Sequence, residues 1–298
     1  MKRTLLASCL MLVAAQPALA NIDIQFDFSY DTSNFFSSNP DSIATLNAAA
    51  AVFETRFADS LSAITSSGSN SFDTIFFNPA DPFGSDVTLA DQSVQADVIL
   101  IYVGAANLGG GTLGIGGPGG YGCSGFGAFC SNASSRGQGT VTGSSATDFA
   151  TWGGAISFDN TSTNWYFGLD ASGLGSSQYD FYSVAVHELA HVLGFSSSDS
   201  FDNLVQGSNF VGTHAGTVAL TADGHGADGT MSLVNGVPQE AAMDPTIANN
   251  QRKYFTDLDF AAMQDIGWQV TAVPEADTWV MLLAGLGLVG FAARRRMI

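Results

Sequence analysis

The stretch HELAHVLGF, at residues 187–195, decides how the rest of this chain can be interpreted. His187 and His191 stand four positions apart, so on a helix their imidazoles share one face, about 5–6 Å apart at Cβ. That separation suits two adjacent vertices of a tetrahedral zinc ion. Glu188 follows the first histidine and is placed to take a proton from a water at the open metal position. One helical turn therefore supplies two candidate zinc ligands and a candidate general base.

The residues around the motif predict the helix that this spacing requires. Apolar residues recur around the polar positions from 182 to 195, and Gly194 is placed to end the helix. The alternative is an ordinary helix that matches the motif by chance and leaves its histidines in solvent. Two of the chain's four histidines fall in the motif, which favours a metal site.

A catalytic zinc normally takes three protein ligands, and the motif supplies two. It resembles the longer motif of the metzincin proteases, in which a third histidine follows the glycine and a methionine-containing turn comes later. Ser197 stands at that third position, and serine is not among the usual zinc ligands. The run Ala-Ala-Met-Asp-Pro at 241–245 resembles the methionine turn. The resemblance implies that Met243 packs beneath the metal without binding it.

The third ligand must then come from another part of the chain. In leishmanolysin-type metzincins an inserted segment separates the motif from its third histidine, and the spacing here is similar. That resemblance favours His225, which lies closer to the methionine turn than His214 does. His214 and the carboxylates of Asp199 or Asp202 stay open as alternatives.

The metzincin resemblance spans roughly residues 21–270 and implies both a fold and an activity. The implied fold is α+β: a twisted, mainly parallel sheet with an antiparallel edge strand, a zinc-binding active-site helix, and a C-terminal helix after the methionine turn. The implied activity is that of a secreted zinc endopeptidase on protein or peptide substrates, with Glu188 as general base. The rival interpretation is a surface or extracellular-matrix adhesion protein on a metzincin-like fold with a degenerate or structural metal site.

Apolar patterning predicts the elements around the motif. Strands are predicted at 22–28, 87–89, 96–103 and 154–158, and helices at 42–61 and 256–266. The 96–103 strand is the most hydrophobic and is expected at the sheet centre, whereas 154–158 is expected to be an edge strand. Between these two strands lies a long glycine- and serine-rich region at 104–145. Its formal match to a dinucleotide-binding motif at 114–119 is rejected, because no helix pattern follows it.

The two ends of the chain read as targeting segments. Residues 1–20 have a basic start, an apolar stretch and an Ala-Leu-Ala end, which predicts a secretory signal peptide. Residues 274–298 resemble the PEP-CTERM sorting signal of Gram-negative bacteria, with Ala276 in place of that family's second proline. The resemblance implies a transient membrane anchor, processing by an exosortase, and release to the cell surface or beyond. A plain C-terminal transmembrane helix is the alternative. The intervening residues 21–273 are expected to form one catalytic domain.

Composition narrows the choice of partners and of redox compartment. The formal net charge of −18 disfavours nucleic acid and anionic membrane surfaces. Acids such as Asp223 and Asp228 make calcium a further candidate cofactor, although their spacing does not form an EF-hand loop. Cys123 and Cys130 remain after removal of the signal peptide, and an oxidising compartment favours a disulfide between them over two free thiols.

Overall fold

The computed structural model describes residues 22–271, so the predicted signal peptide and the C-terminal tail lie outside the described residues. The helices in this range are α1 Phe35–Ser38, α2 Pro40–Glu54, α3 Phe129–Ser135, α4 Phe181–Val192, α5 Asp199–Asp202 and α6 Asp257–Asp265. The strands up to α4 are β1 Asp23–Asp27, β2 Ser71–Phe76, β3 Val87–Leu89, β4 Val98–Ala106, β5 Gly114–Pro118, β6 Gly120–Ser124, β7 Gly153–Asp159, β8 Trp165–Tyr166 and β9 Tyr179–Asp180. The later strands are β10 Val205–Gln206, β11 Asn209–Gly212, β12 Gly216–Ala219, β13 Met231–Val234 and β14 Val237–Glu240.

A four-stranded sheet in the order β1-β4-β7-β5 forms the centre of the molecule. The pairings of β4 with β1 and with β7 are parallel, and β5 pairs with β7 in the antiparallel direction. β4 is the apolar run VILIYVGAA and is buried along nearly its whole length, as expected for a strand covered on both faces. The prediction that this run lies inside the sheet is therefore confirmed.

The two faces of β4 support two separate cores. Ile99, Ile101 and Val103 point into the larger core, which also contains the buried faces of α2 and α4. Tyr102 points the other way and stacks on Phe76 of β2, with ring centroids 4.1 Å apart. A three-stranded antiparallel sheet in the order β3-β2-β6 covers that second face. The alternation of side chains along one strand thus places helices on one side of the sheet and strands on the other.

Helix α4 is the most deeply buried helix of the larger core. Val186, Leu189 and Val192 are fully buried at i, i+3 and i+6, and each contributes about 1.5–3 kcal/mol by leaving water. The helix ends at Val192 because Gly194 adopts a φ of 102°, which closes the last turn. Trp268 then donates its indole N–H to the Leu193 carbonyl at 2.8 Å. This hydrogen bond satisfies a backbone carbonyl at the C-terminal end of α4.

Two sequence predictions about this region are wrong. The strand predicted at 154–158 forms as part of β7, but it lies between β4 and β5 and is buried throughout, so it is not an edge strand. The edge strand is β5, which comes from the glycine-rich region. The helix predicted at 42–61 ends at Glu54, because the chain turns extended and Phe57 pairs with Val270 in an antiparallel bridge.

An insertion separates α4 from the last helix. It carries α5, the small antiparallel sheet β10-β11-β12, and the hairpin β13-β14. The last helix, α6, begins with a capping box in which Thr256 and Asp259 bond each other's backbone N–H groups. In the glycine-rich region, Cys123 and Cys130 form a disulfide that links β6 to α3.

Candidate metal centre

The start of α4 is fixed by a buried ion pair. Asp180 caps the helix by accepting a hydrogen bond from the Ser183 N–H at 3.1 Å. The same carboxylate lies 2.7 Å from the Arg252 guanidinium, and both side chains are almost fully buried. Arg252 also donates to the carbonyls of Gly168 and Leu169. This network ties the beginning of the motif helix to the segment that follows the methionine turn.

Three imidazole nitrogens meet beside α4. The Nε2 atom of His191 lies 3.0 Å from Nε2 of His187 and 3.0 Å from Nε2 of His225. The Nδ1 atoms of His187 and His191 lie 2.7 Å and 2.9 Å from the carbonyl oxygens of Ala242 and Phe195. A carbonyl oxygen only accepts, so each Nδ1 carries the proton and each Nε2 presents a lone pair. Lone pairs that face one another call for a cation between them.

The geometry and the chemistry of these nitrogens fit zinc. Bonds of about 2.0–2.1 Å in a tetrahedron place neighbouring ligand nitrogens about 3.3 Å apart, close to the observed 3.0 Å. Burial lowers the pKa of His191 to about 4 and that of His187 well below its usual value, and the neighbouring histidines add to the effect. Both rings therefore stay neutral at pH 7, which is the state that binds metal.

A tight turn brings His225 to the pair on α4. The Thr221 N–H donates to the His225 carbonyl at 2.9 Å, and the Ser196 hydroxyl donates to the Gly224 carbonyl at 2.6 Å. Ser196 lies just after the motif, so this bond holds the inserted loop against the end of α4. On the outer side, a carboxylate oxygen of Asp223 lies 3.2 Å from Nδ1 of His225. Hydrogen bonding, chiefly from the Thr221 hydroxyl, lowers the pKa of Asp223 to about 2, so it is ionised.

The other candidates for the third ligand lie elsewhere. Ser197 donates its hydroxyl hydrogen to the His191 carbonyl at 2.7 Å, so its side chain caps the C-terminal end of α4. His214 is about half exposed and lies 2.8 Å from Asp265 at the end of α6. Asp199 accepts a hydrogen bond from the Gly143 N–H, and Asp202 is exposed on α5. Within residues 22–271, only His225 joins His187 and His191 in a group of converging ligand atoms.

The turn at 241–244 supports the histidines from below. Its Ala242 carbonyl accepts from His187, and its Met243 carbonyl accepts from the Gly226 N–H at 2.9 Å, next to the third histidine. Met243 itself is buried. Asp259 of α6 accepts hydrogen bonds from the N–H groups of both Ala242 and Met243. Sequence reasoning did not single out this buried carboxylate; its only signal was the Thr-Asp-Leu-Asp start of the helix.

Glu188 is buried between α4 and the edge strand β5. It is 6% exposed, and burial raises its pKa to about 8, a rise that a hydrogen bond from the Gly116 N–H partly offsets. A cation bound by the neighbouring histidines would favour the ionised carboxylate. Glycines of β5 lie directly against this side chain and its backbone.

An open cleft of about 670 Å³ runs over the histidines and Glu188. One wall is formed by residues 110–116, which include most of β5 and the glycine turn before it. Pro245, Thr246 and Ile247, just after the methionine turn, also line the cleft. The volume is in the range of pockets that bind a ligand or part of a peptide.

A second group of carboxylates lies next to residues 245–247 of the cleft, and the ammonium group of a lysine lies among them. Asp228, Glu240 and Asp244 bring their oxygens within 4.8 Å of one another. The Lys253 ammonium lies 2.8 Å from Glu240 and 3.4 Å from Asp244 and offsets part of their charge. Asp223 lies beside His225 and not in this group, so the structure does not bring Asp223 and Asp228 together as calcium ligands.

Comparison with known families adds information mainly about export. A family model described as PEP-CTERM protein-sorting motif matches residues 272–296. The chain carries a PEP-CTERM sorting signal. A model described as SPBPB7E8-like matches residues 147–217, which include α4 and end before His225. Curated proteins and solved structures give no match.

The sorting signal confirms the prediction made from the tail. It implies export to the surface of a Gram-negative bacterium or beyond, and processing by an exosortase. The membrane anchor predicted in this tail lies outside the described residues, as does the signal peptide. Across residues 22–271, each helix is too short or too polar to cross a bilayer.

Proposed function

We propose that this protein is an exported zinc-dependent endopeptidase with a metzincin-like catalytic domain. The observation that carries the proposal is the convergence of three Nε2 atoms, from His187, His191 and His225, beside the buried carboxyl group of Glu188. Three nitrogen ligands with one open position are the usual donor set of a catalytic zinc. A structural zinc site would normally be closed by a fourth protein ligand.

The surroundings of the site support the metzincin-like interpretation. The sheet is mainly parallel with an antiparallel edge strand, β5, beside the helix that carries the motif. A turn that contains the buried Met243 lies beneath the histidines, and α6 follows it. The metzincin resemblance implies a sheet of this kind, a methionine turn and a helix after it, although it placed the edge strand at 154–158 and not at β5.

Each side chain of the site has a definite part in the proposed reaction. Bound at the three histidines, zinc would supply a Lewis acid that polarises the scissile carbonyl and lowers the pKa of the attacking water. Glu188 takes the proton from that water as the oxygen bonds to the carbonyl carbon. The same carboxyl group then gives the proton to the leaving amine nitrogen as the C–N bond breaks. The carbonyls of Ala242 and Phe195 keep two of the imidazoles in the metal-binding tautomer.

The substrate proposed is an extended stretch of polypeptide. β5 is the last strand of the sheet, and residues 114–116 line the cleft. A peptide that adds to the outer edge of β5 would form main-chain hydrogen bonds with it and pass over the metal. Main-chain recognition of this kind accepts many sequences, so an unstructured protein is a suitable first substrate.

The proposal is tested by metal content and cleavage of casein in the purified protein, with Glu188→Gln measured in parallel. We expect one zinc per chain in both proteins and chelator-sensitive cleavage in the wild type. Loss of the general base should reduce kcat by about 10²–10⁴-fold. Glu54→Gln is a matched control, because Glu54 is a half-buried glutamate at the end of α2 whose carboxylate accepts from the Ile24 N–H.

Two results would contradict the proposal. Full activity in Glu188→Gln would mean that another group acts as the base or that a contaminant cleaves the substrate. Stoichiometric zinc without cleavage of casein or of a broad peptide library would favour the adhesion interpretation, in which the metal is structural.

A further inference from the structure

Two glycines of the edge strand lie so close to Glu188 that a side chain at either position would overlap with it. A Cβ atom placed on Gly114 would be 2.7 Å from both Cγ and Oε1 of Glu188, and 2.9 Å from Cδ. A Cβ atom on Gly116 would be 2.5 Å from the Glu188 backbone oxygen and 2.9 Å from its Cβ. Ordinary contact between such atoms begins at about 3.5 Å. Neither glycine has a positive φ, so their backbone conformation does not require glycine. Glycine is required at these two positions because there is no room for a side chain.

We infer that Gly114 and Gly116 are positioning residues for Glu188, and that the glycine-rich β5 sets where the general base stands. This inference rests on the proposed function. The two glycines act on different parts of Glu188: Gly114 faces the end of the side chain, whereas Gly116 faces the helix backbone. Together they let β5 lie directly across α4, with the carboxyl group held between helix and strand.

The difference between the two contacts predicts different defects. In Gly114→Ala the new methyl group meets the end of a flexible side chain, so the Glu188 carboxyl group should swing away by about 1 Å to reach normal contact. A displacement of that size in a catalytic group costs about 10²-fold in rate. The three atoms nearest to the new methyl group all belong to Glu188 and none to a histidine, so zinc binding should persist.

Gly116→Ala should behave otherwise. Its methyl group meets a backbone oxygen that cannot rotate away, so strand and helix must separate. Since α4 also carries His187 and His191, this variant should lose zinc affinity and thermal stability together with activity. A strand that merely tolerates glycine would show no such division between the two positions.

The chain offers a matched control on the same strand. A Cβ atom on Gly117 would meet nothing within 4 Å, and Gly117 is outside the cleft lining. Gly117→Ala should therefore keep zinc, stability and activity, with at most a slight gain in stability because alanine replaces glycine in a strand.

The test measures kcat, KM, zinc affinity and melting temperature in the three alanine variants, and determines the crystal structure of zinc-loaded Gly114→Ala. We expect kcat of Gly114→Ala to fall about 100-fold with zinc affinity unchanged, and its Glu188 carboxyl group to be displaced while the histidines stay in place. Activity of Gly114→Ala equal to that of Gly117→Ala would overturn the inference. So would a structure in which Glu188 has not moved. The crystallographic result remains decisive even if the wild type cleaves no peptide, and that failure would count against the proposed function alone.

Discussion

Replacement of His225 by alanine should weaken zinc binding far more than replacement of His214, although both lie in the same inserted segment. His225 supplies one of three converging nitrogens: its Nε2 atom and that of His187 each lie 3.0 Å from Nε2 of His191. Zinc binding by protein ligands is worth about 10–16 kcal/mol in small structural sites. An equal share among three ligands is at least about 3 kcal/mol. The expected loss for His225→Ala is therefore about 100-fold or more in zinc affinity.

Competition with a chromophoric chelator measures this affinity directly. His214→Ala is the matched control, because His214 is about half exposed and bonds Asp265. It should keep the wild-type zinc affinity. Equal affinity in His225→Ala and the wild type would refute the assignment of the third ligand. An equal loss in both variants would show that the insertion as a whole, and not the His225 imidazole, supports the metal.

Two further substitutions test buried carboxyl groups of the domain. Burial raises the pKa of the Asp59 carboxyl group from 3.8 to about 6, although one of its oxygens accepts a hydrogen bond from the Gln269 N–H. Between these two pH values the folded state binds more protons than the unfolded state, so the stability of the fold falls as pH rises from about 4 to about 6. Asp59→Asn removes the buried charge and should raise the free energy of unfolding at pH 8 by up to about 3 kcal/mol. Urea denaturation should show that this advantage is lost at pH 4. Asp259→Ala leaves the buried N–H groups of Ala242 and Met243 without an acceptor, which should cost about 3 kcal/mol or more of stability and lower zinc affinity; an unchanged urea midpoint would contradict this role.

The elements that the sequence predicts well are those with a strong local pattern. Helix α4 follows from apolar spacing, and its end at Val192 follows from Gly194. The 96–103 strand is a continuous apolar run, which a strand buried on both faces requires. In α6, Thr256 and the following acids predict the start of the helix to within one residue.

The edge strand could not be predicted in this way. β5 reads Gly-Ile-Gly-Gly-Pro, a composition with poor intrinsic strand propensity. It forms a strand because it fits between β7 and α4, where Glu188 leaves no room for side chains at Gly114 and Gly116. That requirement comes from tertiary contact and is invisible along the chain.

In the candidate site, too, the residues that share a local motif could be predicted from the sequence, and those brought in by tertiary contacts could not. One helical turn supplies His187, Glu188 and His191, so their spacing alone predicts that they act together. His225 stands 34 residues after His191, and its selection over His214 rested on resemblance to a known spacing. Asp259 supports the methionine turn through two backbone hydrogen bonds that no local motif announces.

Zinc K-edge X-ray absorption on the purified, zinc-loaded protein tests the metal centre most directly. If His187, His191 and His225 present their Nε2 atoms to one ion, the spectrum should show three imidazole nitrogens at about 2.0–2.1 Å and one further light ligand. A shell with two imidazoles, or an oxygen-rich shell of higher coordination number, would contradict the three-histidine centre on which the proposed hydrolysis depends.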